Sequence, residues 1–217
     1  ENEITRNHGV QTIKEARSLW ITVKCRDPLL KQWLERSAGD NDGKEESIKV
    51  TRHMISAAAG YEVMLTKMLS TVPKSQQLKM VREKDELLWT TLHHAAQSGN
   101  PSSIRTILAL DPNQSNWLPI VTFQGFVGDN VLHMAARSDN TESLRLLIAL
   151  YPESQRLQVV SVPDDTRETV LHLVARRGNS ESAKCILESL PESQRWQVVC
   201  MQDEDEETAL HYAAGLS

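Results

Sequence analysis

The sequence predicts an all-α solenoid of stacked helix pairs, with an extra short helix in each unit and turn or hairpin connections, and three observations carry that expectation. His93, His133, His172 and His211 are spaced by 40, 39 and 39 residues. Pro73, Pro112, Pro152 and Pro191 keep spacings of 39, 40 and 39. The text between these anchors recurs too, since "YPESQRLQVV" at 151–160 becomes "LPESQRWQVV" at 190–199, with "VPKSQQLKMV" at 72–81 as a weaker copy. Two independent anchors that hold one period mark an internal repeat, in which each copy is a unit too small to bury its apolar face alone.

Each unit can be justified in order. The histidine opens a short Ala-rich stretch, "AAQSGN", "AARSDN" or "VARRGN", that forms a first helix small enough for close packing. Gly99 or Gly178 suits the left-handed turn that ends it, and Asp139 takes that place in the unit between. A second helix follows, with apolar residues eight, five and four places before the proline: Ile104, Ile107 and Leu108; Leu144, Leu147 and Ile148; Ala183, Ile186 and Leu187. That spacing is one helical face. The proline then opens a third, short helix at its first position. Its apolar residues fall five and eight places on, at Leu78 and Val81, Trp117 and Ile120, Leu157 and Val160, Trp196 and Val199, and Pro119 shortens the second copy. The polar stretches "VPDDTRET" and "MQDEDEET" are exposed turns or hairpins.

Applied upstream, the same rule finds Leu65, Met68 and Leu69 before Pro73 and "SAAAGY" at 56–61, so a degenerate repeat with Met54 in the histidine position starts near residue 50. The expected organisation is an N-terminal helical cap or eroded repeat over 1–49, with an exposed loop near 39–47. Repeats follow near 50–88, 89–128, 129–167 and 168–206, with a partial one at 207–217. Because "HYAAGLS" stops within a first helix, the natural protein is expected to continue. The uncovered last unit makes self-association a further expectation.

Composition bounds the function. With 24% charged and 40% hydrophobic residues the chain reads as globular, and it has neither an 18-residue apolar run nor a signal pattern. Residues 1–100 hold 15 basic against 13 acidic side chains, and residues 101–217 hold 9 against 16. An acidic second half argues against nucleic acid, whose binding needs clustered Lys and Arg. Cys25, Cys185 and Cys200 are too few and scattered for a disulfide framework or zinc knuckle, so a reducing, cytoplasmic compartment is expected.

The motif around the histidines resembles the ankyrin repeat, a turn, Thr-Pro-Leu-His, x-Ala-Ala-x-x-Gly and a second helix. Thr169, Leu171, His172, Ala175 and Gly178 carry the likeness, as do Thr208, Leu210, His211, Ala213 and Ala214. The family proline is replaced by Thr91, Val131, Val170 and Ala209, and the turn glycine by Arg167 and Glu206. The period exceeds the usual 33 residues by about six, which the Pro-Glu-Ser-Gln segment accounts for. The extended unit is also similar to ankyrin proteins that intracellular bacteria deliver into host cells, which would place the chain in the host cytoplasm.

The resemblance implies histidines that tie turn to helix rather than bind metal. Spacing agrees, because stacked helices lie roughly 8 to 10 Å apart whereas zinc ligands sit about 2.0 to 2.1 Å from the ion. His94 is expected to point elsewhere, exposed and without a carboxylate neighbour. No phosphate loop, nucleophile elbow or metalloprotease helix is present. Cys185 reads as a buried inert thiol, and Asp203 to Glu207 as a solvated, self-repelling turn. No catalytic residue, metal or cofactor is therefore expected.

The family binds proteins through turn tips and the exposed side of the first helix. Carried onto this chain, those places are Trp89, Gln97 and Ser98; Phe126, Asp129, Arg137 and Ser138; Asp165, Glu168, Arg176 and Arg177; and Glu204 and Asp205. Trp89, Phe126, Arg137, Arg176 and Arg177 are the candidate anchors of a partly basic groove. The plainer reading is that the aromatics pack within the turns and the arginines pair with neighbouring acids. The function expected is a protein-binding module without catalysis, with a host protein as partner if the bacterial likeness holds. The alternative is the substrate-recruiting arm of an enzyme whose catalytic domain lies outside the fragment.

Overall fold

The computed structural model describes residues 57, 62–85, 88–111, 117–125 and 127–215. The expectations for the N-terminal cap over 1–49 and for Met54 lie outside them. In chain order the helices are α1 (Glu62–Ser70), α2 (Lys74–Arg82), α3 (Thr91–Ser98), α4 (Pro101–Leu108), α5 (Leu118–Val121) and α6 (Val131–Ser138). Then come α7 (Thr141–Ile148), α8 (Glu153–Val160), α9 (Val170–Arg176), α10 (Ser180–Glu188), α11 (Glu192–Val199) and α12 (Ala209–Ala214). The first helices stack in a row, α3 on α6, α6 on α9 and α9 on α12; the second helices α1, α4, α7 and α10 form a parallel row; and α8 meets α11 among the third helices. This is an all-α solenoid.

The expected apolar faces of the second helices line the core. Leu65, Leu69, Ile104, Ile107, Leu144, Leu147, Ile148 and Ile186 are buried, with Leu108, Ala183 and Leu187 packed at its margin. Asn100, Asn140 and Asn179 cap these helices, each side chain accepting from a backbone N–H of the first turn. The prolines sit one residue earlier than expected. Pro73, Pro152 and Pro191 are N-caps with φ between -54° and -52° and extended ψ, rather than first helical residues. The fixed ring torsion suits the extended residue that enters the helix just as well as the first helical one. In the second unit, where Pro119 interrupts, the third helix has only 4 residues.

The histidines join one unit to the next. In α3, Nδ1 of His93 accepts the Thr90 backbone N–H at 3.2 Å and faces the Thr90 hydroxyl at 2.9 Å, closing a capping box. That leaves the proton on Nε2, which donates to Phe123 O at 3.4 Å. His133 reaches Glu168 O at 3.3 Å, and His172 reaches Met201 O at 3.0 Å and Glu207 O at 3.2 Å. Burial pushes His93 and His133 down from 6.5 to about 4. Asn130 is a poorer partner than Thr. Its Oδ1 accepts from Leu132 and His133 N–H while standing 2.8 Å from the accepting Nδ1, and its Nδ2 is buried without a partner among the described residues.

The connections between units are tight turns rather than hairpins, with a single isolated bridge, Gln202 to Thr208, among the described residues. Leu88, Gly128, Arg167 and Glu206 all hold left-handed φ, from 60° to 73°, at one position of the repeated turn. Three of the four carry that conformation without glycine, at a cost of about 1 kcal/mol or more each. Successive turns are bonded, Asp165 N–H to Val127 O at 3.3 Å and Glu204 N–H to Thr166 O at 3.1 Å. At Gly128 a Cβ would stand 2.8 Å from Asp165 N and 3.0 Å from Asp164 C.

Three outcomes are expected from urea unfolding. Gly128→Ala should lose about 1 to 3 kcal/mol, because backbone of the next turn must move, whereas Arg167→Gly should gain up to about 1 kcal/mol by relieving left-handed strain. Asn130→Thr should gain about 1 kcal/mol, since a hydroxyl can donate to Nδ1 where the amide oxygen cannot. A histidine held down at about 4 in the fold binds its proton at 6.5 once unfolded. Stability should therefore be full above pH 6.5 and fall as pH drops toward 4, by up to about 3 kcal/mol for each of the two. His133→Gln should flatten that dependence at the expense of stability at pH 7.

Candidate functional site

The surface offered for recognition is smaller than the repeat pattern suggests. Along α3, Thr91 to Ala96 are buried, as are Val131 to Ala136 of α6 and Val170 to Ala175 of α9. Only the C-terminal ends of these helices and the turn tips reach solvent. The cause is the long turn of each unit, which folds against the first helix and covers the side that was expected to be open.

That cover is built on a recurring aspartate. Asp85, Asp164 and Asp203 occupy the same turn position, where each N–H donates to the carbonyl four residues on. The Asp85 carboxylate accepts from Trp89 N–H at 2.8 Å and meets His94 Nε2 at 2.7 Å. Asp164 Oδ1 accepts from the N–H groups of Thr166 and Glu168 and from the Thr166 hydroxyl, while Oδ2 takes the Arg137 guanidinium at 3.0 Å. Asp203 accepts from Asp205 and Glu207 N–H and, at 2.6 Å, from the Tyr212 hydroxyl. The bond to Asp203, with a smaller contribution from burial, holds the Tyr212 phenol above its usual range. Gly125 stands at this position in the remaining unit.

His94 is thus buried and has a carboxylate neighbour, against expectation. Its ring also meets Trp89 edge to face at 5.5 Å. Asp85 could not be recognised as its partner by repeat bounds, because the two lie nine residues apart on either side of a unit boundary. The 39-residue interval between Asp164 and Asp203, and twice nearly the same interval back to Asp85, is the sequence signal that could have found this set.

The candidate contact residues divide accordingly. Trp89, Ser98, Asp129 and Glu168 are buried, so none of them is an exposed contact. Trp89 fills the space under its turn, and Ser98 Oγ donates to Ala95 O. Arg137 bridges Asp129 of its own turn and Asp164 of the next. Arg176 forms two bonds with Glu168, at 2.7 and 3.0 Å, and lies over the Tyr212 ring. Burial pushes the Glu168 carboxyl above its usual value, and the nearby Arg176 opposes that shift. The basic groove is therefore corrected: the charges of Arg137 and Arg176 are matched by these carboxylates. Gln97, Ser138 and Arg177 are half-buried, whereas Asp165, Glu204 and Asp205 are exposed and remain open to contact. Phe126 lies outside the described residues.

No group of three or more His, Cys, Asp or Glu side chains among the described residues is arranged to hold a metal ion. Cys185 is half-buried, its thiol pushed up by burial, and Cys200 is exposed. No helix among the described residues is long and apolar enough to cross a membrane.

Arg137→Ala should cost about 3 kcal/mol or more in urea unfolding, because it strands two buried carboxylates. Arg176→Ala should cost clearly less, since its half-exposed guanidinium is screened by solvent.

Comparison with known proteins agrees with this architecture. Residues 132–216 match the family described as Ankyrin repeats (3 copies). A search of curated proteins gave no match. The match is confined to residues 132–216, and repeats of the matched family are generic protein–protein interaction modules.

Proposed function

We propose that these ankyrin repeats hold a partner protein along the turn tips and the C-terminal ends of the first helices, in a contact dominated by acidic side chains. The observation that supports this reading is the burial of α3, α6 and α9 nearly to their C-terminal ends, which leaves the tips as the recognition surface there. Asp165, Glu204, Asp205 and Glu206 project there, on turns stiffened from below by Asp164 and Asp203. A preorganised row of carboxylates favours a partner with a basic surface, through faster encounter and fixed register. Our reading of the partner as a host protein, bound in the host cytoplasm by a delivered effector, rests on the "PESQRLQVV" extension alone.

The test is capture of partners by the native chain and by a Glu204→Lys, Asp205→Lys, Glu206→Lys variant with an unchanged circular dichroism spectrum. A partner held by the native chain, lost by the variant and released by salt supports the reading. Equal recovery by both moves the contact elsewhere. Reversing Arg137 would be uninformative, because it strands two buried carboxylates and destabilises the fold itself.

A further inference from the structure

The residue ten places before the repeated proline looks back toward the preceding second helix. Glu142, ten before Pro152, pairs with Arg105 at 2.6 Å, and Glu181, ten before Pro191, lies 4.0 Å from Arg145. In α1 this position holds Val63, ten before Pro73, and Val63 is 82% exposed. A valine there cannot use a charged partner and calls for an apolar one. The outer side of α2, in the same unit, carries a groove of about 450 Å³ lined by Ser75, Leu78, Lys79, Arg82 and Glu83. Leu78 and the aliphatic stems of Lys79 and Arg82 make it apolar, with the charged heads at its rim.

The register of the repeat gives the residues that belong against these two places. Arg105 stands 37 residues before Glu142, and Arg145 stands 36 before Glu181; the same step back from Val63 reaches residues 26–27, beside Leu29 and Leu30. Third helices stack at a step of 39, α8 on α11, and that step back from α2 reaches residues 35–43, directly after Trp33 and Leu34. In this register Lys79 falls on Asp40, and Arg82 falls on Gly43, next to Asp42. Apolar residues thus come opposite the apolar places, and acidic ones opposite the basic rim.

We propose that residues 26–43 of the same chain cover this face in the place of a preceding unit, with Leu29 and Leu30 against Val63, Trp33 and Leu34 in the α2 groove, and Asp40 and Asp42 against Lys79 and Arg82. In a stacked array each unit is covered by its neighbours alone, so this segment does for α1 and α2 what each following unit receives from the one before it. The occupant is tethered to its groove, and the contact therefore forms within one copy and is independent of concentration. It also matches the basic rim within the chain, which leaves the acidic turn tips as the outward charge.

Disulfide trapping in the full chain tests this, in a Cys25→Ser, Cys185→Ser, Cys200→Ser background. Asp40→Cys with Lys79→Cys should close a disulfide within one chain under mild oxidation, at a rate that does not change on dilution. Asp40→Cys with Lys184→Cys, whose second site is exposed on α10, should not. Equal trapping of both pairs overturns the proposal, and so does a link at position 79 that forms only between copies, since that would make the occupant a second chain. Thiol labelling gives an independent reading that leaves both apolar anchors in place. Lys79→Cys alone should react more slowly than Lys184→Cys alone, and adding Trp33→Glu should speed labelling at 79 by about tenfold or more, since burial of the indole is lost. Labelling at 79 as fast as at 184 in the otherwise native chain shows an open groove and also overturns the proposal.

Discussion

The solenoid depends on one arrangement, a buried neutral imidazole that closes its own helix cap on one side and holds the next turn on the other. Nδ1 receives a backbone N–H that the helix start would otherwise leave unpaired, and this forces the proton onto Nε2, which then has to find an acceptor. The acceptor is always a carbonyl of the segment that leads into the next first helix. A local capping requirement thereby becomes a link between neighbours. Burial is the largest cause of the low proton affinity of His93 and His133, and the bond to a backbone carbonyl opposes it in part.

A second layer of polar chemistry shapes the recognition surface. Asp85, Asp164 and Asp203 hold their turns by accepting backbone N–H groups, and each spends its second oxygen differently, on His94, Arg137 or Tyr212. The residue after the repeated histidine decides the choice. Where it is His94 or Tyr212, that side chain supplies the bond from nine positions on; where it is Leu173, Arg137 of the preceding first helix supplies it instead. The residues that would have served as a basic groove are thus drawn into the scaffold, and the acidic tips are left as the outward charge.

The second helices add a looser polar ladder on the outside. Glu142 pairs with Arg105 at 2.6 Å and with Arg145 at 2.9 Å, tying consecutive units across their exposed faces. Solvent screening keeps each such pair near or below about 1 kcal/mol. Burial of the leucine and isoleucine faces, repeated in every unit, outweighs them. Trp196 and Leu210 in the last described unit are exposed, whereas their counterparts Trp117 and Leu171 are buried.

Period, helix positions and apolar faces were legible from the residues alone, because a repeat in sequence is a repeat in space and 3.6-residue spacing is the same on paper as in a helix. The structural role of His93, His133 and His172 came from the likeness to the ankyrin repeat, with the distance between stacked helices excluding a shared metal ion. Which exposed-looking residues stay exposed could not be read there. Trp89 disappears under its own turn, Arg137 finds Asp164 27 residues away in the next turn, and His94 folds onto Asp85. Burial and pairing are properties of a residue's neighbours in three dimensions, and in a stacked array half of those neighbours belong to another unit.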